Sequence, residues 1–293
     1  MKIFTPLPGE YVASALKRGN ELLGINSLKL EDFLIKPIPR EGFGFSFGHK
    51  AEFRDYAKFE FPPFFIEQNI SEEILNKHTL YPLTAALGRS RSNTIVTPTR
   101  WKKICTDCVF EDFDTHGTAY IHRRNVQFSV RLCSVHGSEL IDICPTCSVS
   151  IAKHDITKFG LCSRKYKKPI YQPNSANRLY SKFIAELLNY NGITLKRHIV
   201  DGLVQGSLMV KYRNAYIQEE NLIEIIRREL GIRAKSASYQ TLSDDTFAIL
   251  AFLACESAEK YLDLITNKKS IDFLSTEINS LRSYQVQRYT PIN

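Results

Sequence analysis

CTDC at Cys105–Cys108, CSVH at Cys133–His136, CPTC at Cys144–Cys147 and a last thiol at Cys162 hold six of the seven cysteines in this 293-residue chain. Two residues between ligands let one tight turn aim two side chains at a single ion. Cys105, Cys108, Cys133 and His136 therefore read as one complete set. Three thiolates and an imidazole suit tetrahedral zinc. With all four positions filled by protein, no coordination site is left for a substrate, so this module reads as structural rather than catalytic. Cys144, Cys147 and Cys162 begin a second set. The position that would complete its last Cys-x-x-Cys is Lys165, an ammonium that does not ligate. His154, in the intervening loop, offers a fourth donor. Three readings stay open for this module: four ligands including His154, a three-ligand site, or a degenerate site kept as packing.

Outward from this window, the composition sets the class. A hydrophobic content of 43% is that of an ordinary globular chain, with length enough for one large or two smaller cores. No apolar run approaches the roughly 20 residues of a membrane span. The start, MKIFTPLPGEY, has no apolar signal core, so a cytoplasmic location is expected. In a reducing compartment, clustered Cys-x-x-Cys pairs favour metal over disulfide. Cys255, alone in AILAFLACES, reads as a buried core thiol.

The net charge of +8 is concentrated. Between Ser163 and Asn214 ten lysines and arginines face only Glu186 and Asp201, which accounts for the whole excess. Such a zone suits nucleic-acid phosphates. Its alternative reading is a solvated basic face. The candidate DNA-binding residues are Arg164, Lys165, Lys167, Lys168, Lys196, Arg197, Lys211 and Arg213.

Helical periodicity runs through most of the remaining chain. Val12, Leu16, Leu22 and Leu23 form a stripe that Gly24 ends. A helix is expected over 28–35, stopped before Pro37. The Gly- and Phe-rich stretch after Arg40 reads as loop or short strand, its aromatics as packing. Ser71 is placed to cap a helix that Pro82 kinks or ends, and His78 within it reads as a packed or capping histidine. A polar linker carrying Arg89 and Arg91 leads to Trp101. After the cysteines, Leu179, Phe183, Leu187 and Leu188 share one face. A helix over 193–216 is weakened by Gly202 and Gly206. Helices follow over 220–230, from Asp244-Asp245 through 265, and over 271–284. The expected fold is mainly α with small β knuckles. It has an N-terminal helical part (1–100), tandem zinc modules (101–168) and a basic helical, helix-turn-helix-like part (169–293).

Enzyme signatures are weak. His122-Arg123-Arg124-Asn125 lies between cysteine knuckles, as a histidine does in some HNH nucleases. That chemistry needs a second, open metal site with further ligands, and no later partner motif follows. No P-loop, GxSxG elbow or acidic triad stands out. The chain is expected not to be an enzyme.

Several stretches together resemble the TniQ/TnsD family of transposon target-selection proteins. In PLPGEYVASALKR, residues Pro6, Pro8, Glu10, Ser14 and Arg18 fall in step with that family's opening. HTLYPL (His78–Leu83) is similar to a segment of its TnsD-type members. CTDC, then AYIHRRNVQFSVRLC, CSVHGSEL and CPTC follow the family's order, with Tyr120 near the expected aromatic and Arg123 or Arg124 near the expected arginine. Thr106 and Lys165 depart from the pattern. The likeness covers residues 1 to about 165, and 210–222 more loosely. It implies a non-catalytic adaptor that binds DNA and recruits an AAA+ ATPase regulator and the transposase. An alternative is a docking adaptor for a CRISPR effector complex, and a homodimer is among the partners considered. A zinc-containing transcription regulator is a third reading.

Overall fold

The structure, a computed structural model, describes residues 4–24, 36–37, 59–60, 66, 69–88, 103–166, 175–192, 195–213, 219–232 and 244–289. The helix expected over 28–35, most of the Gly- and Phe-rich stretch, Arg89, Arg91, Trp101, Lys167 and Lys168 lie outside those residues. The chain is mainly helical, and among the described residues no helix is long and apolar enough to cross a membrane. It divides into two compact units, Met1–Thr194 and Leu195–Asn293.

The first unit contains α1 (Val12–Leu23), the two-residue strands β1 (Lys36–Pro37) and β2 (Phe59–Glu60), and helices α2 (Ser71–His78), α3 (Tyr81–Ala86), α4 (Thr106–His116), α5 (Phe159–Ser163) and α6 (Ala176–Leu187). β1 and β2 pair antiparallel, Lys36 opposite Glu60. Gly24 closes α1 in the left-handed conformation (φ 64°). The pause before Pro82 separates two helices: α2 ends at His78 and α3 starts at Tyr81, with the proline in its first turn, where its missing N–H costs nothing. Ser71 does not cap α2; Ile70 holds that position without a side-chain bond.

α1 is fixed by a buried carboxylate. Glu10 is fully buried. Its Oε2 accepts from the Leu7 N–H at 2.8 Å and from Arg18 Nη2 at 2.8 Å, and its Oε1 accepts from the Ser14 hydroxyl at 2.9 Å and from Arg18 Nε at 3.2 Å. Four donors satisfy a charge that burial would otherwise penalise heavily. Ser14 Oγ in turn accepts from the Ile121 N–H at 3.0 Å, and Tyr11 N–H donates to Ile121 O at 2.8 Å. The Tyr120 hydroxyl donates to Pro8 O at 3.0 Å. Thus the opening motif is bonded directly to the AYIHRR span, more than 100 residues away. Arg123 donates to Leu188 O at 3.0 Å and to the carbonyls of Asn76 and Thr79 (3.4 Å to Thr79). It ties the C-terminal ends of α2 and α6 together, where carbonyls lack intrahelical partners. Burial lowers this guanidinium to about 10.

α6, which the sequence reading places with the C-terminal part, belongs to the first unit. Arg178 Nη2 donates to Val135 O at 3.2 Å, and the Tyr180 and Ser129 hydroxyls bond at 2.5 Å. Phe183 and Leu187 are buried as expected, but Leu179 is 52% exposed.

The second unit comprises α7 (Arg197–Tyr212), α8 (Glu219–Leu230), α9 (Asp244–Cys255), α10 (Ala258–Thr266) and α11 (Lys268–Tyr289). α9 is buried from Phe247 to Leu253, apolar on every side, with α7, α8 and α10 packed on it. A helix of that composition belongs in a core. Cys255 is buried there, and burial raises its thiol to about 12. The single helix expected over 244–265 is two. Glu256 takes a left-handed φ of 64°, and the Ser257 hydroxyl then caps α10 by accepting from the Lys260 N–H at 3.3 Å.

Candidate metal centres

Two hairpins of the same construction carry half of each cluster. In the first, Gly137 N–H donates to Cys133 O at 2.8 Å and Cys133 N–H to Ser138 O at 2.9 Å. In the second, Ser148 N–H donates to Cys144 O at 2.8 Å and Cys144 N–H to Val149 O at 2.9 Å. Each hairpin is closed by one β-bridge, Leu132 with Glu139 and Ile143 with Ser150. The residue after the second ligand is left-handed in both: Gly137 at φ 70° and Ser148 at φ 58°. Gly137 adopts this freely; Ser148 does so at a small steric cost. The repeat binds Cys133-x-x-His136 and Cys144-x-x-Cys147 into one backbone frame.

A helix supplies the other half of the first cluster and, in the second, Cys162, while His154 comes from a loop. Cys105 and Cys108 sit at the start of α4. Ile104 pairs with Ile141, between the two hairpins, through bonds of 3.0 and 2.9 Å. Cys162 lies in the five-residue α5.

In the first cluster His136 Nδ1 stands 3.5, 3.4 and 3.6 Å from the sulfurs of Cys105, Cys108 and Cys133, and the Cys108 and Cys133 sulfurs are 3.7 Å apart. A tetrahedral zinc with ordinary bond lengths requires S···N edges of about 3.55 Å and S···S edges of about 3.75 Å. The fit is close on every edge given. His136 Nε2 faces Glu111 Oε1 at 2.9 Å. A carboxylate only accepts, so Nε2 carries the hydrogen and Nδ1 turns its lone pair inward, the usual arrangement of a ligating histidine. Arg124 Nη2 lies 3.3 Å from Cys108 Sγ. Three thiolates and a dication would leave a charge of −1, which this guanidinium would offset. The thiols share their protons unequally. Contacts with Cys105 and Cys133, then burial, push Cys108 up, whereas hydrogen bonds from Cys105 and Cys108 pull Cys133 down.

The second cluster brings Cys144, Cys147, His154 and Cys162 together, with donor atoms within 4.8 Å of one another. His154 thus supplies the fourth donor. Lys165 is exposed and only its backbone N–H reaches back, to Cys162 O at 3.2 Å. His154 Nε2 lies 3.3 Å from Cys162 Sγ, and its Nδ1 lies 2.7 Å from Asp155 O. The carbonyl fixes the hydrogen on Nδ1 and leaves the Nε2 lone pair for a metal. The ring stacks on Phe159 at 4.7 Å. Burial acts to raise Cys144, but the Tyr166 hydroxyl at 3.4 Å and the backbone N–H groups of Cys147 and Thr146 outweigh it and bring the thiol to about 6. Burial and the neighbouring Cys144 and Cys147 raise Cys162 to about 11.

The loop that carries His154 is held by α1. Lys17 Nζ donates to Ala152 O at 3.2 Å and to His154 O at 2.7 Å. Glu21 Oε2 accepts from the Thr157 N–H at 2.9 Å and its hydroxyl at 3.1 Å. Sequence reasoning named Arg124 only as a match to the family's arginine, and it missed Lys17, Glu21 and Glu111. Only Glu111 had a local signal, one helical turn beyond Cys108.

Both sets can hold a metal ion such as zinc, and among the described residues they are the only Cys/His/Asp/Glu groups of this kind. His122 joins neither: its Nε2 faces both oxygens of Asp112 at 3.1 Å in the interior. Of the candidate DNA-binding residues, Arg164 and Lys165 are exposed beside the second cluster. In the second unit Lys196 and Arg197 are exposed at the start of α7, Arg197 within 3.5 Å of Asp201. Arg213 ends α7 in a left-handed conformation, exposed. Lys211 is engaged within its unit, 2.8 Å from Glu256 Oε1 and 2.7 Å from Leu253 O. A scan against protein-family models finds no match to this chain, and a search of curated proteins finds none.

Proposed function

We propose that the chain is a non-catalytic, zinc-containing target-selection adaptor of the TniQ/TnsD type, which binds DNA and recruits an AAA+ regulator and the transposase. One observation carries this reading. The residues that bear the resemblance, Pro8, Glu10, Ser14, Arg18 and the span Tyr120–Arg123, are bonded to one another. A set of chance matches has no reason to converge on one buried network. Zn2+ in both clusters makes this network a rigid platform, and the exposed cations Arg164, Lys165, Lys196 and Arg197 contact phosphates.

The test is a salt titration of attachment-site DNA binding. Replacing those four cations by glutamine should weaken binding and flatten the slope of log K against log salt by about 0.9 for each phosphate no longer neutralised. An unchanged slope would remove the DNA-binding assignment. The pairing of Lys211 and Arg197 with acids of their own unit favours a second reading, a docking adaptor for a CRISPR effector complex with little direct DNA contact. Retention on immobilised effector subunits with the slope unchanged would select it.

A further inference from the structure

The two clusters share a donor set but not an exposure. Cys105, Cys108 and Cys133 are all buried, whereas in the second cluster Cys147 is exposed and Cys162 partly so. Around it the apolar side chains Ile143, Val149 and Leu161 remain open to solvent, Leu161 at 65%. The helix that brings Cys162, α5, is five residues long; it packs on α4, and the Thr146 hydroxyl donates to Cys162 O at 2.7 Å. The first cluster takes two ligands from the start of the eleven-residue α4 and is backed by the Ile104–Ile141 bridge and the part-buried Arg124–Cys108 contact.

We infer that Cys147 is an oxidation site, at which a peroxide-class oxidant converts the second cluster from a metal site to a disulfide while the first stays intact. This rests on the metal reading of both clusters. The Cys147 thiolate attacks one peroxide oxygen; the O–O bond breaks, hydroxide leaves and Cys147 becomes a sulfenic acid. The Cys162 thiolate then attacks that sulfur, a second hydroxide leaves, and a Cys147–Cys162 disulfide forms. Two thiolates lose two electrons in total and the peroxide gains them. In the zinc-loaded chain the remaining sulfurs are thiolates, and Cys162 resolves the sulfenic acid because it is partly exposed whereas Cys144 is buried. Afterwards Cys144 and His154 alone remain as donors, two short of a structural site. Because α1 holds the His154 loop through Lys17 and Glu21, the change is felt at the N-terminal helix.

The experiment loads the full chain with zinc, confirms two equivalents, and adds hydrogen peroxide while a chromophoric chelator reports release and peptide mapping reports disulfides. One equivalent should leave at least tenfold faster than the other, in step with a Cys147–Cys162 crosslink. Cys147→His, which keeps a donor and removes the thiol, should bind two equivalents and retain both under the same peroxide. Fewer than two equivalents before peroxide overturns the metal reading and the inference with it. Two equivalents that leave together, that both stay, or that leave with a Cys144–Cys147 crosslink overturn the inference alone.

Discussion

Glu10 shows how much one residue can carry. It has no exposure, and Arg18 is its only cationic partner among the described residues. Arg18→Met would leave a buried carboxylate with its counter-charge removed, a change that costs about 3–5 kcal/mol. Denaturant unfolding should show that destabilisation, and Arg18→Lys should recover only part of it, since an ammonium cannot make the two-pronged contact with both oxygens. A variant as stable as the parent would mean that the hydroxyl and backbone donors suffice alone. The neighbouring His78 titrates in a predictable direction. Its Nδ1 is 2.8 Å from Glu10 O, and burial, aided by Arg123, lowers its pKa below the ordinary 6.5, against smaller opposing effects from that hydrogen bond and Glu73. The unfolded chain therefore binds a proton at this site at a pH where the folded chain does not. Stability from His78 is fully present above pH 6.5 and is lost as pH falls toward the folded-state pKa. An NMR titration of the His78 ring should give a midpoint below 6.5; a midpoint above it would contradict the burial argument.

At the scale of elements, α7 separates two glycines that look alike in sequence. Both Gly202 and Gly206 read as helix-weakening, and the spacing gives no reason to distinguish them. In the fold a side chain at Gly202 would meet open space, whereas a Cβ at Gly206 would lie 2.6 Å from Ile278 Cδ1 of α11. Gly202→Ala should stabilise the chain by about 0.5–1 kcal/mol through helix propensity and a less flexible unfolded state. Gly206→Val should destabilise it by about 1–3 kcal/mol by crowding the Ile278 and Leu274 side chains of α11. Paired thermal melts decide the matter, and equal effects at the two positions would refute the packing account. The same contrast explains what is legible in the sequence. Ligand spacing is a local property, so Cys105, Cys108, Cys133 and His136 can be read from it, and His154 is a candidate because it lies in the loop. The supports are non-local: Lys17 and Glu21 reach the His154 loop from more than 130 residues away, and Arg124 reaches Cys108 across a turn of chain whose path no periodicity reveals. The break at Glu256 is marked only by the capping Ser257 that follows it, which the apolar pattern running on to Ile265 masks.

For the molecule as a whole, the two units place their stabilising terms differently. The second unit has a helix buried on all sides, α9, and none of the candidate metal ligands. Residues 103–166 of the first contain one eleven-residue helix, short 3-10 and helical turns, and two hairpins each closed by a single bridge. Buried side chains such as Val109, Ile121, Val130 and Phe159 pack there with little regular backbone structure to link them, so cross-links from two ions would supply much of the region's rigidity. Removing metal from the full chain at neutral pH with a strong chelator should therefore act regionally. Hydrogen exchange should show backbone amides of 103–166 losing protection, followed by those of α1, whose Lys17 and Glu21 are anchored on the 152–157 loop. Amides from Phe247 to Leu253 in α9 should keep theirs, because their environment is side-chain packing that a chelator does not touch. Unchanged protection over 103–166 would mean that the hairpins close without an ion. Equal deprotection in α9 would mean that the two units fold as one, and the separate core of the second would then not account for its stability.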